Sequence, residues 1–237
     1  MKMEAGPRAT GNQGDTQTPE DQAIFIVGRL EEAGVPVARR SYAAGELVYA
    51  SGDADRYLCF LLEGQVRVYK PYGAYKEATV ALLGEGGIFG EPSLRPDGGH
   101  RDSADALTDC QVARVSKVAL EGHVSRDPAC ALMLMAAFCK WARQREQLVA
   151  MLLPRGVRSR LAALLLALAD RFGEEAHPGV AIGLRLTHQR LAEMVACTRE
   201  AVSKEMACFE REGRIETRNS ERRIVLLDRR SLGELAG

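Results

Sequence analysis

Aromatic residues make up only 5% of the chain, with a single tryptophan, and histidine occurs four times in 237 residues. The four histidines (100, 123, 177, 188) are scattered, with no closely spaced pair beside a glutamate, so a metal-ligand set is not expected. The six cysteines (59, 110, 130, 139, 197, 208) form no CxxC pair and have no zinc-ligand spacing with histidine. Burial as small apolar residues is the expected role, with a redox-sensing pair as the alternative. No apolar run reaches the length of a membrane span. The densest, Ala129 to Phe138, leads straight into Lys140 and Arg143. No N-terminal segment resembles a secretory signal, so the protein is expected to be cytoplasmic. A nucleophile elbow, a P-loop and a dinucleotide fingerprint are all missing, so no catalytic residue is nominated and an enzyme is not expected. Net charge is zero, with 32 basic and 32 acidic residues. From Arg155 onward 15 Lys/Arg stand against 12 Asp/Glu, a net +3 that leaves −3 for residues 1–154. That tilt alone would not suggest a nucleic-acid partner.

What is present is a chain of ordinary globular composition, 46% hydrophobic and 27% charged, long enough for two cores. Residues 1–18 offer almost nothing to bury and read as a flexible tail. Pro19 to Ala33 reads as a short helix with Ile24, Val27 and Leu30 facing inward. From Arg40 to about Ser116 the period shortens. Leu58, Phe60 and Leu62 alternate with their neighbours, as do Val66 and Val68, between turn signals at Gly45, Gly52-Asp53, Glu63-Gly64, Gly84 to Gly87 and Gly98-Gly99. Short strands punctuated by glycine predict an antiparallel barrel or roll.

Ala129 to Leu153 reads as one long helix with two apolar stripes. One is Leu134, Phe138, Trp141, Leu148 and Leu152; the other is Leu132, Met135, Cys139, Ala142, Val149 and Leu153. Two faces need two covers, so one is expected on the roll and the other on the same helix of a second subunit. Polar residues interrupt both stripes at Arg143 to Gln147, and Pro154 ends the helix as a natural hinge. Val157, Leu161, Leu164, Leu165, Leu168 and Phe172 then form an amphipathic helix closed by Gly173. A short strand is expected within Ala181 to Leu186.

The stretch Leu186 to Ile215 carries the most information. Thr187 can cap a helix with the apolar stripe Leu191, Met194 and Val195. After Ala196-Cys197, Thr198 can cap a second, with Val202, Met206 and Phe209 inward and Gly213 at its stop. Arg199, Glu200, Ser203 and Lys204 lie outward, residue types that reach base edges when a helix enters the major groove N-terminus first. A plain helical hairpin with a solvated charged face would show the same pattern. Arg214 to Arg218 and Arg222 to Leu227, around Asn219-Ser220, add a β-hairpin, and helix, turn, helix and hairpin make a winged helix.

With these parts in order, the sequence resembles the cyclic-AMP receptor protein and fumarate–nitrate regulator superfamily of bacterial transcription factors over about residues 22 to 230. The likeness rests on YAAGELVYASGDADRYLCFLLEGQVRVY, GIFGEPSL, VRSRLAALLLALADRFG and the Leu186–Ile215 stretch. It implies an α+β fold: an antiparallel β-roll like a cyclic-nucleotide-binding domain (19–128), a dimerisation helix and hinge (129–154) and a winged helix-turn-helix (155–237). It further implies a homodimer on double-stranded DNA, reading a palindrome of TGTGA-like half-sites. Arg199 would fork onto a guanine and Glu200 accept from a cytosine amino group. Lys204 stands where the receptor's pattern has arginine. Thr187, His188, Gln189 and Thr198 match positions that hold backbone phosphates. The loop Glu174 to Val180 matches a region some relatives use to touch RNA polymerase.

For an effector, Gly90 and Glu91 match the turn that holds a ribose, and Arg101 lies where relatives grip a cyclic phosphate. Here Asp102 stands where the phosphate-binding hydroxyl is expected, with Ser103 one place late, and Pro92-Ser93 replace an apolar-glycine pair. A carboxylate there repels a phosphodiester and is expected to pair with Arg101. The region of the long helix that offers hydroxyls to adenine in relatives reads Arg143-Gln144-Arg145-Glu146. Three readings stay open: a pocket closed by its own side chains with no effector, cyclic AMP, or a small acid such as 2-oxoglutarate gathered by Arg101, Arg143 and Arg145. An iron–sulfur sensor lacks its N-terminal cysteines, since none precedes Cys59, and a haem sensor would have only His100 or His123 as axial ligand. A metal-dependent cupin fails on histidine spacing. A nucleotide-binding module acting on a partner protein is opposed by the winged helix.

Overall fold

The computed structural model describes residues 21–54, 56–72, 76–90, 99–150, 156–184, 186–218 and 223–236. The expected tail, Glu91 to Ser93, the Pro154 hinge and the Asn219-Ser220 turn lie outside them, as do the side chains of Trp141, Gln144, Arg145, Leu148 and Val149. Leu152 and Leu153 lie outside them as well.

Helix α1 (Asp21–Glu32) buries Ala23, Ile26, Val27 and Leu30, an i, i+3, i+4, i+7 face. Ile24, expected inside, is half exposed. It sits roughly 100° off that face, because one residue turns an α-helix by that angle, and Ile26 takes the inward place.

Among the described residues eight strands follow: β1 (Val37–Tyr42), β2 (Leu47–Tyr49), β3 (Tyr57–Glu63), β4 (Val66–Tyr72), β5 (Lys76–Leu83), β6 (Ile88–Phe89), β7 (Ser103–Ala106) and β8 (Cys110–Ser116). They form two antiparallel four-stranded sheets, ordered β1-β8-β3-β6 and β2-β7-β4-β5. Leu58 pairs with Val115 in one, and Val68 with Ala104 in the other. The β3–β4 turn depends on Gly64, at φ +83°, where a Cβ would stand 2.3 Å from the Asp109 carbonyl oxygen. On β3 the expected alternation fails, because Leu58, Cys59, Phe60 and Leu61 are all fully buried. Leu58 and Phe60 pack with α1 and the long helix, whereas Cys59 and Leu61 fill the roll interior. A strand covered on both faces loses its period-2 signature.

Helix α2 (Lys117–Val124) starts at Ser116, whose hydroxyl accepts from the Ala119 amide at 3.2 Å. Helix α3 (Pro128–Ala150) carries the long apolar pattern. Cys130, Leu134 and Ala137 are buried against the roll, with Phe138 packed beside them. Leu132 and Met135 are 67% and 60% exposed, and Cys139 and Ala142 continue that open stripe.

The C-terminal part runs α4 (Val157–Phe172), β9 (Gly173–Glu175), β10 (Val180–Ile182), α5 (His188–Met194), α6 (Arg199–Arg211), β11 (Ile215–Arg218), β12 (Arg223–Leu226) and α7 (Arg229–Ala236). Its antiparallel sheet is ordered β11-β12-β10-β9, so the wing hairpin continues into two further short strands. Glu174 and Glu175, expected in a loop, therefore sit on β9 paired with β10. Helix α7 was not expected. Asp228 caps it by accepting from the Ser231 amide at 3.0 Å, and Leu232 is fully buried in the same core as α4. That core gathers Leu161, Leu165, Leu191, Val202, Phe209 and Leu226, together with Leu82 of β5 from the roll. Among the described residues, no helix is long and apolar enough to cross a membrane.

Candidate nucleic-acid interface and the roll pocket

Both caps predicted for the helix pair form. The Thr187 hydroxyl accepts from the Arg190 amide at 3.2 Å and the Thr198 hydroxyl from the Ala201 amide at 3.3 Å. Between the helices Ala196 takes a positive φ of 51°, and Gly213 at φ +69° ends α6. Val202, Met206 and Phe209 are buried, which fixes the opposite face of α6 outward. Arg199, Glu200 and Lys204 are exposed on that face. Ser203 is not free beside them: it is half-buried, and its hydroxyl lies 2.8 Å from His188 Nδ1, joining α6 to the first residue of α5. Gln189 is exposed, and its Nε2 donates to Glu193 Oε1 at 2.9 Å. The far end of α6 is held by Arg158 of α4, which donates to Glu205 at 3.3 Å and to both Glu212 oxygens at 2.7 and 2.6 Å. Hydrogen bonds from Arg158 and Arg214 hold the Glu212 carboxyl below its ordinary value.

In the roll, Gly90 is buried at φ +82°, and a Cβ there would stand 3.4 Å from a ring carbon of His100. His100 is itself buried and stacks on Tyr49 with ring centroids 3.8 Å apart. The Tyr49 hydroxyl donates to Asp102 Oδ1 at 3.0 Å. Asp102, expected to pair with Arg101, is 1% exposed and has one oxygen engaged by Tyr49, while Arg101 is exposed. Ser103 is buried and its hydroxyl accepts from the Ser51 amide at 2.9 Å. His100 thus stands beside Gly90, with Tyr49 stacked on it and Asp102 bonded to Tyr49. Glu91 lies outside the described residues. Cys59, Cys110 and Cys130 are buried, whereas Cys139 is exposed on α3. Burial, with Asp109 and Glu46 nearby, pushes the Cys110 thiol up to about 11, which keeps it protonated.

Residues 159–235 match the Crp-like helix-turn-helix domain and residues 39–127 the cyclic nucleotide-binding domain. The chain is 30% identical to the global nitrogen regulator of a Nostoc species, over 78% of this chain and 84% of the relative. It is 26% identical to the CRP-like cAMP-activated global transcriptional regulator of Mycobacterium tuberculosis, over 73% and 77%. Among solved structures, a CRP-family transcriptional regulator of Thermus thermophilus is similar at a TM-score of 0.74 and 30% identity, covering 84% of this chain and 96% of that one. The chain belongs to the Crp-Fnr superfamily of bacterial transcription regulators. It is a DNA-binding transcription regulator with an N-terminal antiparallel roll and a C-terminal winged helix-turn-helix.

One feature of this Crp-Fnr regulator escaped sequence reasoning. Arg67 of β4, a charged residue between Val66 and Val68, reads as solvent-facing but is 6% exposed. Its Nε and Nη2 donate to the two Asp105 oxygens at 3.0 and 2.8 Å, Nη2 also reaches Glu77 at 3.0 Å, and Nη1 donates to Glu193 of α5 at 3.0 Å. Arg190 of α5 lies 3.7 Å from Asp105, and the Arg67 guanidinium sits 4.1 Å above the Tyr69 ring. Burial lowers the Arg67 pKa, but Asp105, Glu77 and Glu193 outweigh it and raise the group above its ordinary value. The partners lie 10, 38 and 126 residues away, beyond any local pattern.

Proposed function

We propose that this regulator acts as a homodimer whose two α6 helices enter successive major grooves of a TGTGA-like palindrome, without needing a cyclic nucleotide. The observation that carries the DNA reading is the exposed Arg199, Glu200 and Lys204 face of α6, backed by a buried core. Arg199 pairs with a guanine through its fork, Glu200 accepts from a cytosine, and Lys204 adds a less directional third contact. Thr187, His188, Gln189 and Thr198, at the two helix starts, hold backbone phosphates, where free amides favour anions. Ser203 serves by orienting His188, given their 2.8 Å bond. The second copy covers the open stripe of Leu132, Met135 and Cys139 on α3, spaced as a coiled-coil seam. The units follow the boundaries 19–128, 129–154 and 155–237. The protein is a cytoplasmic, non-enzymatic factor that meets RNA polymerase through the β9–β10 hairpin around Glu174 to Val180.

Effector independence is supported by buried His100 standing beside Gly90, with buried Tyr49 stacked on it and bonded to Asp102. The match of residues 39–127 to the cyclic nucleotide-binding domain favours the second reading, in which Gly90, Glu91, Arg101 and Ser103 hold cyclic AMP or a small anion. Fluorescence anisotropy on a palindromic operator at fixed salt separates the two. Specific binding of the same affinity with no ligand, with cyclic AMP and with 2-oxoglutarate is expected. Specific binding only when one of these is present would establish the effector-responsive reading.

A further inference from the structure

We infer that Glu193 is a positioning residue for DNA recognition, clamping Gln189 to the roll through Arg67. The inference rests on the reading of Gln189 as a phosphate contact. Glu193 uses its two oxygens separately: Oε1 accepts from Gln189 Nε2 at 2.9 Å and Oε2 from Arg67 Nη1 at 3.0 Å. Arg67 is in turn held bidentately by Asp105 of β7, at 3.0 and 2.8 Å. Two residues before Asp105 on the same strand stands Ser103, which the second reading places at the effector. An unbroken chain of hydrogen bonds therefore runs Asp105, Arg67, Glu193, Gln189, from the face of β7 that carries both Ser103 and Asp105 to the proposed DNA-binding face.

The two surfaces do not need this cluster merely to adhere. Leu82 and Leu107 of the roll already pack into the winged-helix core, and the Phe172 ring lies 3.2 Å from where a Gly84 Cβ would be. Those apolar contacts are non-directional and tolerate sliding. A buried guanidinium facing carboxylates carries a desolvation cost that an apolar pair avoids, so it is a poor adhesive. Its bidentate geometry does fix direction. Here it fixes the roll strands β4 and β7 relative to α5. Gln189, held through Glu193, stays exposed in this arrangement, so the clamp presents its side chain to a phosphate. Losing it makes Gln189 pay for its own ordering on binding.

The test is a double-mutant cycle on operator affinity, measured by anisotropy with the full-length protein. Arg67→Lys keeps a charge for Asp105, but a single ammonium cannot also span to Glu193 in the same geometry. Glu193→Gln, at a partly exposed site, retains only one acceptor for two donors and serves as the milder companion should Arg67→Lys disturb the roll. Each is expected to weaken operator binding about three- to tenfold, the range of one hydrogen bond. In a Gln189→Ala background neither should weaken binding further. That non-additivity is a signature that a merely structural role, acting on the fold as a whole, would not give. Equal losses with and without Gln189, or no loss from either clamp variant, overturn the inference while Gln189→Ala alone still weakens binding. If Gln189→Ala itself leaves affinity unchanged, the reading of Gln189 as a contact fails and the clamp's role in DNA recognition fails with it.

Discussion

Replacing Phe209 with alanine probes what holds the recognition helix in place. Phe209 is fully buried on the inner face of α6, in one cluster with Leu161, Leu165, Val202 and Met206. The Arg158 guanidinium lies 5.1 Å from its ring centroid. Truncating a buried phenylalanine costs about 3–5 kcal/mol, and losing a part-exposed cation–π contact adds about 0.5–1 kcal/mol. A domain is typically stable by about 5–15 kcal/mol, so the variant would sit close to its unfolding threshold. With a urea slope of about 2 kcal/mol per molar, the midpoint should fall by roughly 2 M. Urea titration followed by circular dichroism reads this directly, and operator affinity measured at 15 °C and 37 °C should collapse at the higher temperature first. A midpoint shift below about 0.5 M would refute the reasoning, because α6 would then be held by its polar end contacts and not by its apolar face.

Two further outcomes follow from the same geometry. The Glu212 carboxyl, held below its ordinary 4.5 by Arg158 and Arg214, stabilises the folded state fully above that value. The contribution is lost as pH falls through the lower folded value. Glu212→Gln should therefore shift the melting temperature at pH 7 and leave it unchanged near pH 2, whereas a pH-independent difference would point to packing. Leu132→Glu with Met135→Glu, on the open α3 stripe, should convert the proposed dimer to monomer in analytical ultracentrifugation and abolish tight operator binding. A dimer that survives both charges would place the interface elsewhere.

The recognition motif was legible because its signals are local. Thr187, Thr198 and Gly213 act within one turn of the chain, and Val202, Met206 and Phe209 repeat at helical spacing. The two-sheet roll was legible through its turns, Gly64 above all. What failed has identifiable causes. Cys59 and Leu61 hide the period of β3 because both its faces are covered. Ile24 looked inward because single apolar residues do not say which of two adjacent helical faces wins. The β9 strand is three residues of Gly-Glu-Glu, wholly exposed, with no apolar alternation to read. Helix α7 carries a local signal, the Asp228 cap followed by Leu232 and Leu235. The Arg67 cluster had none, since nothing local distinguishes an arginine facing water from one facing Asp105 and Glu193. The same non-locality hid the Tyr49–Asp102 bond, which gives a carboxylate expected to pair with Arg101 a buried phenol as partner.

In the proposed function α6 reads sequence through Arg199. The direct measurement compares operator and scrambled duplexes for the native protein and Arg199→Ala, by anisotropy at one salt concentration. The native protein is expected to prefer the operator, and the variant to lose about 1–3 kcal/mol of that preference, concentrated at one base pair of each half-site. An unchanged preference in Arg199→Ala would contradict it.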